Sequence, residues 1–466
     1  MGIIQRVLSV RVGGMFMKRF IKSFTFSVFV FSIVSLITPT YIYSNTWTVF
    51  MYADSSDALS DMAIKNISDA LFAKIPDNVT IAIQLHAFGT IAYRYIIKQN
   101  TLIPVQIITL GDDRIQNFVD GAQWAFGNYQ SDNTMVLLWD HGHGALDPQW
   151  NDDLQKWMSE PDVLSSANNL EQDDIFENNN STCPLRSFSI EQHQHHRGYM
   201  FSAEPREYLT NNDLITAFDR ICKNLGRMVD IVGFDTCMGS MLEIGYQFVP
   251  FARYLVGVQS CASKDGWNYG AFGQVFDDPA KTPGDIAKAF VKTFQDYYQQ
   301  SSEAIPLNSA SNVSGIYTLT ALDLSRVTVI KMLLDQAVQQ IAECVKIYGV
   351  KPIRQALRFA HSTCYNLCLF PMYTDMYTLI DTFNKQINLL DQSIQASNLS
   401  ATLTSICAAI EASVIGHCSG QDLAGRAHGL SIYFPHYHID PSYQTIRFGR
   451  ECAWGNVLTL ATAESL

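Results

Sequence analysis

Short, almost unbroken apolar runs alternate along the chain with stretches of helical period. Trp47–Tyr52 (WTVFMY), Val79–Leu85 (VTIAIQL), Ile91–Ile97, Thr134–Trp139 (TMVLLW), Met228–Phe234 (MVDIVGF) and Tyr254–Val258 predict strands, most of them covered on both faces. Asp57–Phe72, Arg114–Phe126, Asp213–Leu225 and Met238–Phe248 predict the helices between them. This alternation implies a doubly wound α/β domain, with a mostly parallel sheet and helices on both faces. After about Asn308 the character changes. Ile316–Leu322 reads as a strand, Val327–Val345 and much of Lys351–Val414 as helix, and Gly429–Phe434 (GLSIYF) as a final strand. We expect a domain over residues 45–307 and a mixed, helix-rich region over 308–466.

The alternation fails in two places. From about Ala145 to Glu207 the chain is polar (NND, NNNST, EQHQHHR), which predicts a long exposed insertion over residues 145–207. Its His193, His195 and His196 stand beside Gln and Arg and read as solvated residues rather than metal ligands. At the N-terminus, Arg6, Arg11, Lys18, Arg19 and Lys22 precede an uncharged run from Phe24 to Ile37, and small Ser44 follows. Residues 1–44 therefore read as a secretory signal peptide, or as an uncleaved anchor if Tyr41–Tyr43 extend the run. The expected location is extracellular, periplasmic or in the cell envelope. A membrane is a partner only if that segment is retained.

Composition narrows the picture. With 466 residues, 47% of them hydrophobic, the chain can bury a large core. A net charge of -12 argues against nucleic acid as a partner, because an acidic surface repels phosphate. The ten cysteines are spread out rather than clustered in a disulfide-stapled unit, and their pairing is open. Cys364 and Cys368 lack the CxxC companions of a zinc site.

Two strand ends carry candidate chemistry. Leu137–Gly144 (LLWDHGHG) runs from an apolar strand into a glycine-rich turn with two histidines. Ile231–Ser240 (IVGFDTCMGS) runs from a strand into Asp235 and Cys237, with a helix expected at once. Strand carboxyl ends form the functional edge of such sheets. A cysteine at a helix N-terminus has its thiolate favoured by the helix dipole and free amides. A neighbouring imidazole, His141 or His143, can exchange its proton.

These motifs resemble those of the clostripain family of cysteine peptidases, whose fold is related to caspases, gingipains and legumains. WTVFMYADSSDALSDMAIKNISD is similar to the family's opening strand and helix, and WDHGHG to its His-Gly motif. FDTCMGSMLE is similar to its nucleophile segment, KDGWNYG to its Gly-Asp-Gly-Trp motif, and HGLSIYFP to its closing segment. The resemblance implies a caspase-like fold and a peptidase with Cys237 as nucleophile and His141 as its partner. It places the Gly142 and Cys237 amides at the oxyanion. It gives Asp235 a place in a pocket for arginine or lysine, against the alternative of a helix cap. Asp265 is a second pocket candidate, or a turn residue. Substrates would be proteins or peptides bearing basic residues. No cofactor is required for the chemistry. The family's namesake responds to calcium, and here Asp112/Asp113, Asp152/Asp153 and Asp173/Asp174 form no recognised calcium loop, so calcium stays open.

Relatives in this clan are often made as single chains that cut themselves near the catalytic histidine. The insertion offers Lys156, Arg186, Arg197 and Arg206, with Lys156 nearest the histidine turn and so the first autocleavage candidate. There are departures from the family pattern. The chain reads QSCASKDGW where the family often has an acidic pair, and His86 stands where the family has aspartate. The loop after His141 is long. Two alternatives remain: a non-catalytic binding or scaffold member of the fold, and a peptidase with Asp or Asn preference.

Overall fold

The computed structural model describes residues 45–54, 60–88, 90–147, 208–263, 265–304, 316–364, 372–390 and 393–463. The expected signal or anchor segment, nearly all of the insertion, Lys156, Arg186, Arg197, Arg206 and the three clustered histidines lie outside these residues. The described residues fall in a single compact unit.

A nine-stranded sheet organises it. Its strands are β1 (Trp47–Asp54), β2 (Val79–Phe88), β3 (Ile91–Lys98), β4 (Thr101–Thr109), β5 (Asn133–Trp139), β6 (Val229–Asp235), β7 (Ala252–Gly257), β8 (Thr318–Asp323) and β10 (Val414–Ser419). Their spatial order is β10-β8-β7-β6-β5-β1-β2-β3-β4. The five central strands, β2-β1-β5-β6-β7, run parallel. The flanking pairs are antiparallel. The order reverses between β1 and β5, and at such a switch point loops leave in opposite directions and open a crevice at the strand carboxyl ends. Every residue of β1, β5 and β6 is buried, which is what their unbroken apolar runs require.

Helices α1 (Ser60–Leu71), α2 (Arg114–Asn128), α3 (Asn211–Leu225) and α4 (Leu242–Phe248) fall close to the predicted positions. Thr210 and Asp213 close a full capping box at the start of α3, and left-handed Gly226 ends it. Beyond β7, α5 (Pro283–Ala304) packs on β7, β8 and β10, while α6 (Leu324–Tyr348) packs on β7 and α4. Helices α7 (Val350–Thr363), α8 (Met376–Ile387), α9 (Ile394–Ser413) and α10 (Trp454–Thr462) complete the C-terminal region. The predicted last strand is β11 (Ser431–Tyr433). It pairs with β9 (Tyr373–Asp375) in a separate two-stranded sheet, and Ser431 also bridges to Met241.

Three strands were not expected: β4, β10 and the short β9, which falls inside the Lys351–Val414 stretch read as mostly helix. β4 is exposed along most of its length, so TLIPVQIIT has no inward-outward period to read. It is joined to β3 by Gln99 and Asn100, both at positive φ, a two-residue hairpin turn. β10 follows α9 with no glycine or proline to mark the break.

Candidate active site

Trp139 and Asp235, the last residues of β5 and β6, are direct partners in parallel register. The histidine turn and the cysteine turn therefore leave the same edge side by side. Gly142 shows how closely they meet. A Cβ there would lie 2.1 Å from the Cys237 carbonyl oxygen and 3.0 Å from the Cys237 nitrogen. Only glycine fits, and the turn bearing His141 is pressed on the backbone of Cys237. Two residues on, Gly144 has φ +71° and faces Met241, Tyr373 and Met238.

Side chains hold the histidine turn from behind. The Tyr373 hydroxyl donates to His143 O at 2.5 Å and accepts from Leu146 N at 3.1 Å. Asn211, at the start of α3, donates through Nδ2 to Gly144 O and Ala145 O, each at 3.2 Å. His141 is half-buried. Desolvation, with a smaller contribution from His141, pushes His143 down to about 4, so it is neutral near pH 7. A neutral His143 with a low proton affinity is a poor base.

The cysteine turn differs from expectation. Helix α4 begins at Leu242, five residues after Cys237, so the nucleophile candidate is not at a helix N-terminus. The tight turn takes up the chain instead, with Met238 at φ +56°, a strained conformation for a long side chain. The helix-dipole argument for the thiolate is thus replaced by a local donor. Cys237 is fully buried, and its Sγ accepts from Ala262 N at 3.1 Å. The segment after β7 runs beside the turn, where Met238 N donates to Ser260 O at 2.8 Å and Ser240 N to Val258 O at 2.9 Å. The Ala262 donor could not be read from the sequence, because any residue but proline supplies an amide. Neighbouring Cys261 is disulfide-bonded, while Cys222, Cys237, Cys344, Cys364, Cys407, Cys418 and Cys452 are not in disulfides.

Asp235 does not cap α4, which starts too far away. It is fully buried, and its Oδ2 accepts from Tyr269 Oη at 2.8 Å and Trp267 N at 3.3 Å. Trp267 and Tyr269 of the GWNYG segment are thereby tied to the end of β6. Asp265 is half-buried, and its carbonyl accepts from Asn66 Nδ2 at 3.0 Å. Asn66 Oδ1 in turn accepts from Trp139 Nε1 at 2.9 Å. Both aspartates act on the Tyr298 phenol, which burial, then Asp265, then Asp235 push up. Asp235 and Asp265 thus border one region. Departing from the family pattern, His86 Nδ1 lies 3.0 Å from Asp54 Oδ1, with Arg114 at 3.8 Å on the other oxygen. Among the described residues no group of three or more His, Cys, Asp or Glu side chains is gathered as a metal site. No described helix is long and apolar enough to cross a membrane.

The model of the clostripain family, the C11 peptidases, matches residues 191–458. No curated protein matches the chain. Among solved structures, a secreted C11 cysteine protease from Bacteroides thetaiotaomicron, in complex with an irreversible peptide inhibitor, is similar at 13% identity. The match has a TM-score of 0.56 and covers 89% of this chain and 99% of that one. A second structure of a secreted C11 protease from that organism, called iotapain, matches at 15% identity and TM-score 0.56, over 90% and 99%. An inactive zymogen C11 protease from Parabacteroides distasonis matches at 15% identity and TM-score 0.53, over 88% and 99%. At these identities the structures speak for the caspase-like fold.

Proposed function

The chain belongs to the clostripain family and is a cysteine peptidase, and from that premise we propose that it cleaves after arginine or lysine with Cys237 and His141 as a dyad. The observation that carries this reading is the contact of Gly142 with the Cys237 backbone, which sets both turns at one strand edge. The Cys237 thiolate attacks the scissile carbonyl, and the Gly142 and Cys237 amides face the oxygen as it becomes an anion. His141 gives a proton to the leaving amine, and the C–N bond breaks to leave a thioester. Water, deprotonated by His141, then attacks the thioester and releases the acid and the thiol. Asp235 and Asp265 supply negative charge for a basic side chain. Asp265 is the more accessible of the two, and Asp235 fixes the turn that carries it. These steps call for no cofactor, and calcium stays open.

The test is hydrolysis of fluorogenic peptides ending in Arg or Lys. Wild type cleaves them and Cys237→Ala does not. A folded wild type that is silent on every basic substrate, or that cuts after Asp or Asn, overturns the specificity. A Cys237 of ordinary thiol reactivity, insensitive to His141→Ala, would make the protein a binding member of the fold.

The same reading extends to processing. One structural relative is described as a zymogen and two as secreted. This fits a chain exported through residues 1–44 and activated by its own cleavage at Lys156. Since β5 and β6 are paired neighbours, the pieces stay together after such a cut. Fragments in wild type but not in Cys237→Ala, sequenced from their N-termini, decide it.

A further inference from the structure

Behind the cysteine turn lies a buried carboxylate that the reaction above does not use. Asp375 ends β9, is fully buried, and accepts five hydrogen bonds. At Oδ1 the donors are Thr378 N at 2.8 Å, Thr378 Oγ1 at 2.7 Å and His428 Nδ1 at 2.9 Å. At Oδ2 they are His428 N at 2.7 Å and Gln259 Nε2 at 2.7 Å. The first three contacts cap α8 and hold His428. The contact to Gln259 reaches another part of the molecule.

Gln259 is itself fully buried in the segment after β7, and its Oε1 accepts from Gly429 N at 2.8 Å. Its backbone N and that of Ser260 both donate to Thr318 Oγ1, at 3.0 and 3.2 Å. Both ends of its amide and its backbone are therefore fixed. Three residues later the same segment presents the Ala262 N–H to Cys237 Sγ, and between them Ser260 O takes the Met238 N–H. A path of short polar contacts runs from Asp375 to the sulfur. Burial works against a charged Asp375, yet the His428 imidazole and the Thr378 and Gln259 donors hold its carboxyl below the usual range. The same carboxylate raises His428. The other ionisable groups facing it are His417, Cys364 and Cys407.

We propose that Asp375 is a positioning residue for the peptidase: through Gln259 it fixes the segment that aims the Ala262 amide at Cys237 Sγ. The inference rests on Cys237 as nucleophile. An N–H that meets sulfur in line favours thiolate over thiol, because it bonds the charged form more strongly. The donor stays aimed only while its segment stays still. A buried amide side chain anchored to a carboxylate is a stiff support, since an alternative rotamer would leave polar atoms unpaired.

The experiment measures the pH dependence of Cys237 alkylation by iodoacetamide, followed by peptide mass, together with kcat and KM. The variants are Asp375→Asn and Gln259→Met. The second leaves the Asp375 cap on α8 intact and so separates the Gln259 link from the cap. In both, the Cys237 titration midpoint rises by about one pH unit and kcat falls about tenfold, while KM stays within about twofold. Folded variants that keep the wild-type midpoint overturn the proposal, whatever their thermal stability. Two variants that both fail to fold also overturn it, because the pair is then scaffold alone. A wild type in which Cys237 is not the reactive thiol defeats the dyad reading instead, and the Cys237→Ala control shows that separately.

Discussion

The two turns proposed to share the chemistry are built differently. The cysteine turn is stitched by backbone: Met238 to Ser260, Ser240 to Val258, and Ser431 N to Ser240 O at 3.1 Å. The histidine turn is propped by the side chains of Tyr373 and Asn211 and by the close seat of Gly142. Backbone contacts survive most substitutions, whereas a side-chain prop is lost with a single change. The histidine turn should therefore be the more fragile to loss of its direct contacts, whereas the cysteine turn depends on the Gln259 and Asp375 side chains through the segment beside it. This suits the neighbourhood of the histidine turn, since the long insertion begins just beyond it.

The contrast can be broken most sharply at Gly142. Gly142→Ala puts a methyl group 2.1 Å from the Cys237 carbonyl oxygen, so the turns must separate. Displacement of about 1 Å lowers kcat/KM about 100-fold. Hydrolysis rates with intact circular dichroism check this, and a near-wild-type rate would show that the turns need not touch. Next comes a matched pair. Asn211→Ala strands the carbonyls of Gly144 and Ala145 and lowers kcat about tenfold. Ser240→Ala removes the 2.7 Å bond to Gly429 O, yet the Ser240 backbone contacts remain. It costs about 1 kcal/mol in stability and leaves kcat within about twofold. Equal losses of activity in the two variants would erase the distinction.

The smallest effect on activity, and the one that sharpens the comparison, concerns Glu243 in α4. Its Oε1 accepts from Tyr433 N at 2.9 Å, and burial pushes it up to about 7 from 4.5. The native state then holds a proton that the unfolded chain releases between pH 4.5 and 7. Stability from this group is full below that window, falls as pH rises through it, and is flat above, by about 3 kcal/mol in all. Denaturant titrations across pH 4.5–7 measure the slope, and Glu243→Gln should flatten it. An unchanged slope in that variant would assign the pH dependence to other groups.

The sequence made the parallel core legible because fully buried strands leave continuous apolar runs, and Trp139 and Asp235 ended theirs where the chemistry is proposed. It showed the cysteine and histidine motifs for the same reason: strand, turn and glycine are local signals. It did not reveal β4, whose exposed residues carry no alternation, or the supports of Cys237. Helical period was read back to Met238, but the chain spends Thr236–Met241 in a turn whose positive φ at Met238 no pattern announces. Gln259 and Asp375 are far apart in sequence, and a contact between them has no local signature. HGLSIYFP stood out only as a family marker, although His428 and Gly429 are working parts of the brace.

The brace also sets an order of events in the life of the chain. Met241 bridges to Ser431, and Ser240 Oγ donates to Gly429 O. A ribosome finishes β5, β6 and β7 long before it reaches these residues, and early segments fold first. A partly made chain thus has both turns but not the strap that steadies the cysteine. If Cys237 is the nucleophile, its turn is fully steadied only once Gly429 and Ser431 have been made. The proposed nucleophile then lacks that support for most of the time that the polypeptide is being made.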